Sequence, residues 1–187
     1  MQQKLLINKN HPSNSFDERS SQEIKFLILH FTAQDCQTSL RLLQDQVSVH
    51  YLVSSQPAEV FQLVDEDKKA WHCGESFWAE MVGLNNSSIG IEIVNLDGNI
   101  NFYPSEQIEA VMELCKQIIA RHKISPECVL GHSDIAPLRK DDPGSLFPWR
   151  LLYKNGIGAM VDDCDVEKLV ATISIPNALE LQQSLAK

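Results

Sequence analysis

Gly131-His132-Ser133-Asp134-Ile135-Ala136-Pro137-Leu138-Arg139-Lys140-Asp141-Asp142-Pro143-Gly144 follows the apolar run Cys128-Val129-Leu130. That run reads as the end of a buried strand. Beyond it the residues turn polar and close on Pro-Gly, so the stretch is a loop. It gathers His132, three aspartates, Arg139 and Lys140. Loops held by a rigid scaffold are where chemistry concentrates. Imidazole and carboxylate both suit zinc, and a catalytic zinc takes three protein ligands and leaves one position open. His132 and Asp142 supply two of them if the loop folds back on itself. The third has to come from elsewhere in the chain.

Ile24-Lys25-Phe26-Leu27-Ile28-Leu29 has the length and β-branched content of a buried central strand. His30 stands at its end. An isolated histidine there reads as a satisfied core residue. The lip of a central strand is also where open sheets carry ligands, which makes His30 the candidate third ligand. Ile89-Gly90-Ile91-Glu92-Ile93-Val94 alternates with a period of two. Its three isoleucines face one way, and Gly90, Glu92 and Val94 face the other. A carboxylate in mid-strand is expensive to bury without partners. Taken alone, Glu92 reads as half of a structural salt bridge. Beside a His-His-Asp set it reads as a general base. Gly90 leaves open space beside it.

The rest of the chain is a scaffold for these stretches. Residues 38–46 read as a helix. Residues 48–53 and 59–64 read as a hairpin of strands, in which His50 is either a buried histidine bonded to a backbone carbonyl, the favoured reading, or a ligand. The charge run at 65–69 is a solvated turn. Ala70-Trp71-His72-Cys73-Gly74 is either core or one wall of a sugar or peptide cleft, since aromatic faces with a polar handle suit such ligands. Residues 105–122 carry a helical stripe of Ile108, Val111, Met112, Cys115, Ile118 and Ile119, capped by Ser105. This helix is expected to cover the isoleucine face of the Glu92 strand. His122 at its end suits the helix dipole. Pro148 opens a short helix, and 165–173 and 176–186 read as two more.

With 187 residues the chain is expected to be one domain: an irregular N-terminal arm (1–22), a core (23–158) and C-terminal helices (159–187). A hydrophobic content of 43% and a charged content of 22% are ordinary for a globular protein. The net charge of −9 argues against a nucleic-acid partner, which calls for a basic face. No apolar run approaches the roughly 20 residues that span a bilayer. The first ten residues show no hydrophobic signal region, so the chain does not read as a secreted precursor. The cysteines, Cys36, Cys73, Cys115, Cys128 and Cys164, number five and form no CxxC pair. Unpaired thiols favour a reducing, cytoplasmic location, with the periplasm as the alternative if a signal has been removed. Cys115 and Cys128 read as small core residues.

Together, His30 after its strand, Ser88-Ile89-Gly90-Ile91-Glu92, and His132-Ser133-Asp134-Ile135-Ala136-Pro137 with Arg139-Lys140-Asp141-Asp142-Pro143-Gly144 resemble the zinc N-acetylmuramoyl-L-alanine amidases. The likeness is to the AmpD/AmiD group, related to phage lysozyme-type amidases and peptidoglycan-recognition proteins. It runs from about residue 24 to about residue 158 and includes Ala70-Trp71-His72-Cys73-Gly74 and Leu146-Phe147-Pro148-Trp149. The resemblance implies an α/β (mixed α+β) fold, a central mixed sheet flanked by helices. It implies one zinc ion on His30, His132 and Asp142, with Glu92 and Lys140 as catalytic residues and peptidoglycan fragments or muropeptides as partners. Asp141 is the neighbour most easily confused with the ligand. The candidates for substrate contact are His50, Trp71, His72 and Arg139. The implied reaction cleaves the amide between N-acetylmuramic acid, or its 1,6-anhydro form, and L-Ala. The alternative is a non-catalytic peptidoglycan-binding module of the same fold.

Overall fold

The computed structural model describes residues 5–20 and 23–160. In chain order the elements are β1 (Ile7–Asn8), β2 (Phe16–Glu18), β3 (Phe26–Thr32), α1 (Cys36–Asp45), β4 (Tyr51–Val53), β5 (Val60–Gln62), β6 (Lys68–Ala70), β7 (Phe77–Trp78), β8 (Met81–Val82), β9 (Ser88–Val94), α2 (Ser105–His122), β10 (Val129–Gly131), α3 (His132–Ile135) and α4 (Trp149–Lys154). The helices expected at 165–173 and 176–186 lie outside the described residues, as does Cys164.

Six strands form one mixed sheet in the order β1-β5-β4-β9-β3-β10. Its pairings are parallel except for the β4/β5 hairpin. The register brings the important residues level. His30 pairs with Glu92, and Gly131 pairs with Leu29. His132, the next residue after Gly131, therefore leaves the sheet beside His30. Ligand sites in open sheets form at such carboxyl ends of parallel strands.

The period of two divides the sheet cleanly. Leu27 and Leu29 of β3, the three isoleucines of β9 and Val129 of β10 form one core cluster with Ile108, Val111, Leu114, Cys115 and Ile118 of α2. The helix thus covers the isoleucine face, as the sequence predicts. Its stripe leans toward Leu114 and the buried Gln107 rather than Met112 and Ile119, which are only partly buried. The reason is polar: the Gln107 amide donates to the carbonyls of Val53 and Val94 and fixes the helix on the ends of β4 and β9. Pro104, not Ser105, occupies the cap position, and Ser105 becomes the first helical residue. His122 ends the helix with its Nε2 hydrogen-bonded to a Glu66 carboxylate oxygen at 2.7 Å, which accounts for it without chemistry.

The N-terminal arm is more ordered than its sequence suggests. β1 adds to the sheet edge against β5, and β2 pairs with β6 inside the expected charged turn. Arg19 follows, buried, donating to the carbonyls of Glu66, Asn85, Asn86 and Ser88. Buried guanidinium groups persist where acceptors saturate them. Among the described residues no helix is long and apolar enough to cross a membrane, and Cys36, Cys73, Cys115 and Cys128 are unpaired.

Candidate metal centre and active site

At the carboxyl ends of β3 and β10 the side chains of His30, His132 and Asp142 converge. All three are buried. His30 Nδ1 lies 2.9 Å from His132 Nδ1 and 3.0 Å from Asp142 Oδ2, and the third edge is 3.1 Å. The loop does fold back on itself: the Ser133 amide donates to the Asp142 carbonyl at 2.9 Å. It is Asp142 that enters the cluster, while Asp141 stays exposed. Tyr103, on the β9–α2 connection, braces the same loop by donating to the Pro143 carbonyl at 2.8 Å.

The hydrogen of the His132 ring is committed outside the cluster. His132 Nε2 lies 3.0 Å from the Cys73 carbonyl; a carbonyl only accepts, so this nitrogen carries the hydrogen. His30 Nε2 lies 3.0 Å from His72 Nδ1. Burial pushes His30 down to about 4, so its ring is neutral at pH 7. Burial alone would lift Asp142, but the imidazoles against it hold it below the ordinary carboxylate range. The His132 Nδ1 lone pair and a carboxylate oxygen thus face one another at close range, with His30 Nδ1 against both. They repel unless a cation lies among them. Tetrahedral zinc with bonds of about 2.0–2.2 Å sets its ligand atoms roughly 3.3–3.5 Å apart. The observed triangle needs only a slight opening, and its donor set fits.

Glu92 stands beside His30 across the β3/β9 pairing. The residue as a whole is partly exposed, yet its Oε2 is inaccessible to water and has no hydrogen-bond partner. The expected alternative, a structural salt bridge, is therefore not what the structure holds. Burial, and then the charge of Asp142, push the Glu92 carboxyl well above its usual range, opposed by Lys140. Lys140 is exposed, and its charge reaches both Glu92 and His30. An acid with a raised pKa beside a candidate cation site is the pattern of a group that exchanges protons.

The family model for N-acetylmuramoyl-L-alanine amidase matches residues 20–145, a span that holds every residue of this cluster. The chain belongs to the N-acetylmuramoyl-L-alanine amidase family. It is 49% identical over 153 residues to N-acetylmuramoyl-L-alanine amidase AmiD of Escherichia coli (strain K12), covering 74% of this chain and 55% of that protein. The structure of E. coli AmiD in complex with the substrate anhydro-N-acetylmuramic acid-L-Ala-D-gamma-Glu-L-Lys matches with TM-score 0.73 and 45% identity, over 81% of this chain and 64% of that one. AmpDh3 from Pseudomonas aeruginosa matches with TM-score 0.76 and 37% identity, over 91% and 76%. The chain spans about half the length of the curated relatives it matches.

The remaining candidates of this amidase-family chain lie outside the three-residue cluster. His50 is fully buried, accepts from the Gly90 amide at Nδ1 and meets the Lys68 carbonyl at Nε2. That is the buried-histidine reading, and it leaves no ring nitrogen for substrate. His72 is also buried, packed edge-on beneath His30 with ring centroids 5.1 Å apart. Trp71 is exposed, and its indole N–H donates to Asp17 on β2. The Arg139 guanidinium donates to the carbonyls of Cys73 and Glu75, so it clamps the 131–144 loop to the 71–75 turn. Cys73 O therefore receives both Arg139 and the metal-cluster residue His132. Sequence alone did not single out Arg19, Ser88 or Tyr103. Arg19 and Tyr103 work through partners distant in the chain, and Ser88 through His72, 16 residues away, and Leu84, four away, with no local pattern that assigns it a role.

Proposed function

We propose that this chain is a zinc amide hydrolase that cleaves the bond between the lactyl group of N-acetylmuramic acid, or its 1,6-anhydro form, and L-Ala of a peptidoglycan stem peptide. The observation that carries this reading is the juxtaposition of three converging lone-pair donors with the orphan Oε2 of Glu92 one strand away. His30, His132 and Asp142 would hold the ion. Zinc in such a site acts as a Lewis acid that brings the pKa of water toward ~7.

Glu92 takes the proton of the attacking water and returns it to the nitrogen of the departing L-Ala, so one carboxyl serves as base and then acid. Its buried, unpartnered oxygen favours this shuttle, because neither protonation state is locked by a structural partner. Lys140 places a positive charge near the oxygen that becomes negative in the tetrahedral intermediate. The reaction leaves a free lactyl carboxylate on the sugar and a free amine on the peptide. The four cysteines among the described residues are unpaired, which supports the expected reducing compartment.

The test is mass spectrometry of a defined mixture of anhydro and ordinary muropeptides after incubation with the purified protein, with and without a chelator. Release of a peptide beginning at L-Ala, abolished by chelator and restored by zinc, is expected. Zinc-loaded protein that binds the muropeptides and leaves them intact would make it a binding module instead.

A further inference from the structure

We infer that His72 is the positioning residue of the metal centre: it takes the Nε2 hydrogen of His30 and so commits the His30 Nδ1 lone pair to the cation. This rests on the metal-binding role proposed above for His30. The inference follows from tracing each hydrogen back from a group that can only accept.

That group is the Leu84 carbonyl. Ser88 Oγ donates to it at 2.8 Å, which spends its one hydroxyl hydrogen. Ser88 Oγ also lies 3.2 Å from His72 Nε2, and can only accept there, so His72 carries its hydrogen on Nε2. A neutral imidazole has one N–H, which leaves His72 Nδ1 bare. His72 Nδ1 then accepts from His30 Nε2 at 3.0 Å. Its one other polar neighbour, Cys73 Sγ at 3.4 Å, is a weak donor and competes poorly. A direction set at a backbone carbonyl is passed through a hydroxyl and an imidazole to a residue of the cation cluster.

Metal-bound histidines ordinarily give their second N–H to a carboxylate, a carbonyl or water. His132 does so, at the Cys73 carbonyl. Consecutive residues of one turn, His72 and Cys73, thus orient both histidines. An imidazole in this place fixes orientation without adding negative charge. Zinc with Asp142 keeps a formal charge of +1, which a carboxylate at position 72 would cancel. β9 is shaped for the arrangement. Ser88, Gly90 and Glu92 share one face of that strand. Ser88 accepts from His72, and Gly90 makes room for its ring: a Cβ there would lie 2.5 Å from His72 Nδ1.

The experiment uses the full chain and the variants His72→Leu, His72→Asn and Ser88→Ala. Asparagine keeps an acceptor near the Nδ1 position; leucine keeps only bulk. In metal-free protein at pH 7, long-range nitrogen–proton correlation spectra of the His30 ring should show a single Nε2–H tautomer in wild type and His72→Asn. A mixture is expected in His72→Leu and Ser88→Ala. Zinc affinity, measured by competition with a chromophoric chelator, should fall about 10–100-fold in His72→Leu and stay within about threefold in His72→Asn. Wild-type affinity with one unchanged tautomer in His72→Leu overturns the inference. So does His72→Asn behaving like His72→Leu, which would reduce the role to packing. If His72→Leu does not fold, a single His30 tautomer in Ser88→Ala overturns it. Wild-type protein that takes no zinc sinks the metal-centre reading itself, and the tautomer spectra still decide whether His72 orders His30.

Discussion

Gly90→Ala tests the geometry of the centre most sharply, because it adds one methyl group and changes no charge. Gly90 does not need glycine for its backbone: it lies in the middle of β9, where alanine is tolerated, and its φ is not in the left-handed region. The cost is purely spatial. The new carbon would sit 2.5, 2.7 and 2.8 Å from three atoms of the His72 ring. Ordinary carbon contacts begin near 3.5 Å, so the ring must retreat by roughly 1 Å. Bonded at 3.0 Å to His30 and 3.2 Å to Ser88, it cannot do so and keep both. The ring is also buried beside Cys73 and His50, so little free volume receives it. Overpacking of this kind costs about 1–3 kcal/mol. Loss of the His30 partner should weaken zinc by about 10–100-fold. Urea unfolding of metal-free protein reads the first quantity, and chelator competition reads the second. A variant within ~0.5 kcal/mol of wild type, as an unconstrained surface site would be, with unchanged zinc affinity, would refute both the close packing and the coupling.

Two further outcomes follow from the same site. Glu92→Gln should abolish hydrolysis and alter the pH dependence of stability in metal-free protein. Burial raises the Glu92 pKa in the fold above its ordinary 4.5. The folded state therefore holds the proton longer than the unfolded one, and wild-type stability falls as pH rises above 4.5. Glutamine cannot titrate, so the stability difference in its favour should grow by up to about 1.4 kcal/mol per pH unit until the folded pKa is passed. Parallel stability curves for the two proteins would show that the carboxyl is not buried as described. Lys140→Ala should lower turnover by about 10²–10³ while zinc content stays intact; near-wild-type turnover would remove Lys140 from the reaction.

What the sequence revealed and what it hid divide along a physical line. His30, Glu92, His132 and Asp142 were legible because each sits in a strong local pattern: the end of an apolar run, the polar face of a period-two strand, or a polar loop after a buried strand end. Such patterns report which way a side chain points. They do not report what it meets. His50 and His72 both read ambiguously because their partners, Gly90 and Lys68 for His50 and Ser88 and His30 for His72, lie 16 to 42 residues away in the chain. Arg139 was a candidate for substrate contact, and one of its guanidinium nitrogens donates to turn carbonyls 66 and 64 residues away, which no local pattern could report. The arm before residue 20 looked irregular because strands of two and three residues are too short to show a period. Gly90 joins the two kinds of information. Its sequence pattern promised a gap beside Glu92, and that much was readable. Which ring fills the gap could come only from folding the 71–75 turn over β9. A strand face of Ser88, Gly90 and Glu92 thus carries a hydrogen-bond acceptor, a space and an acid at successive alternate positions, and only the acid has chemistry that a sequence can announce.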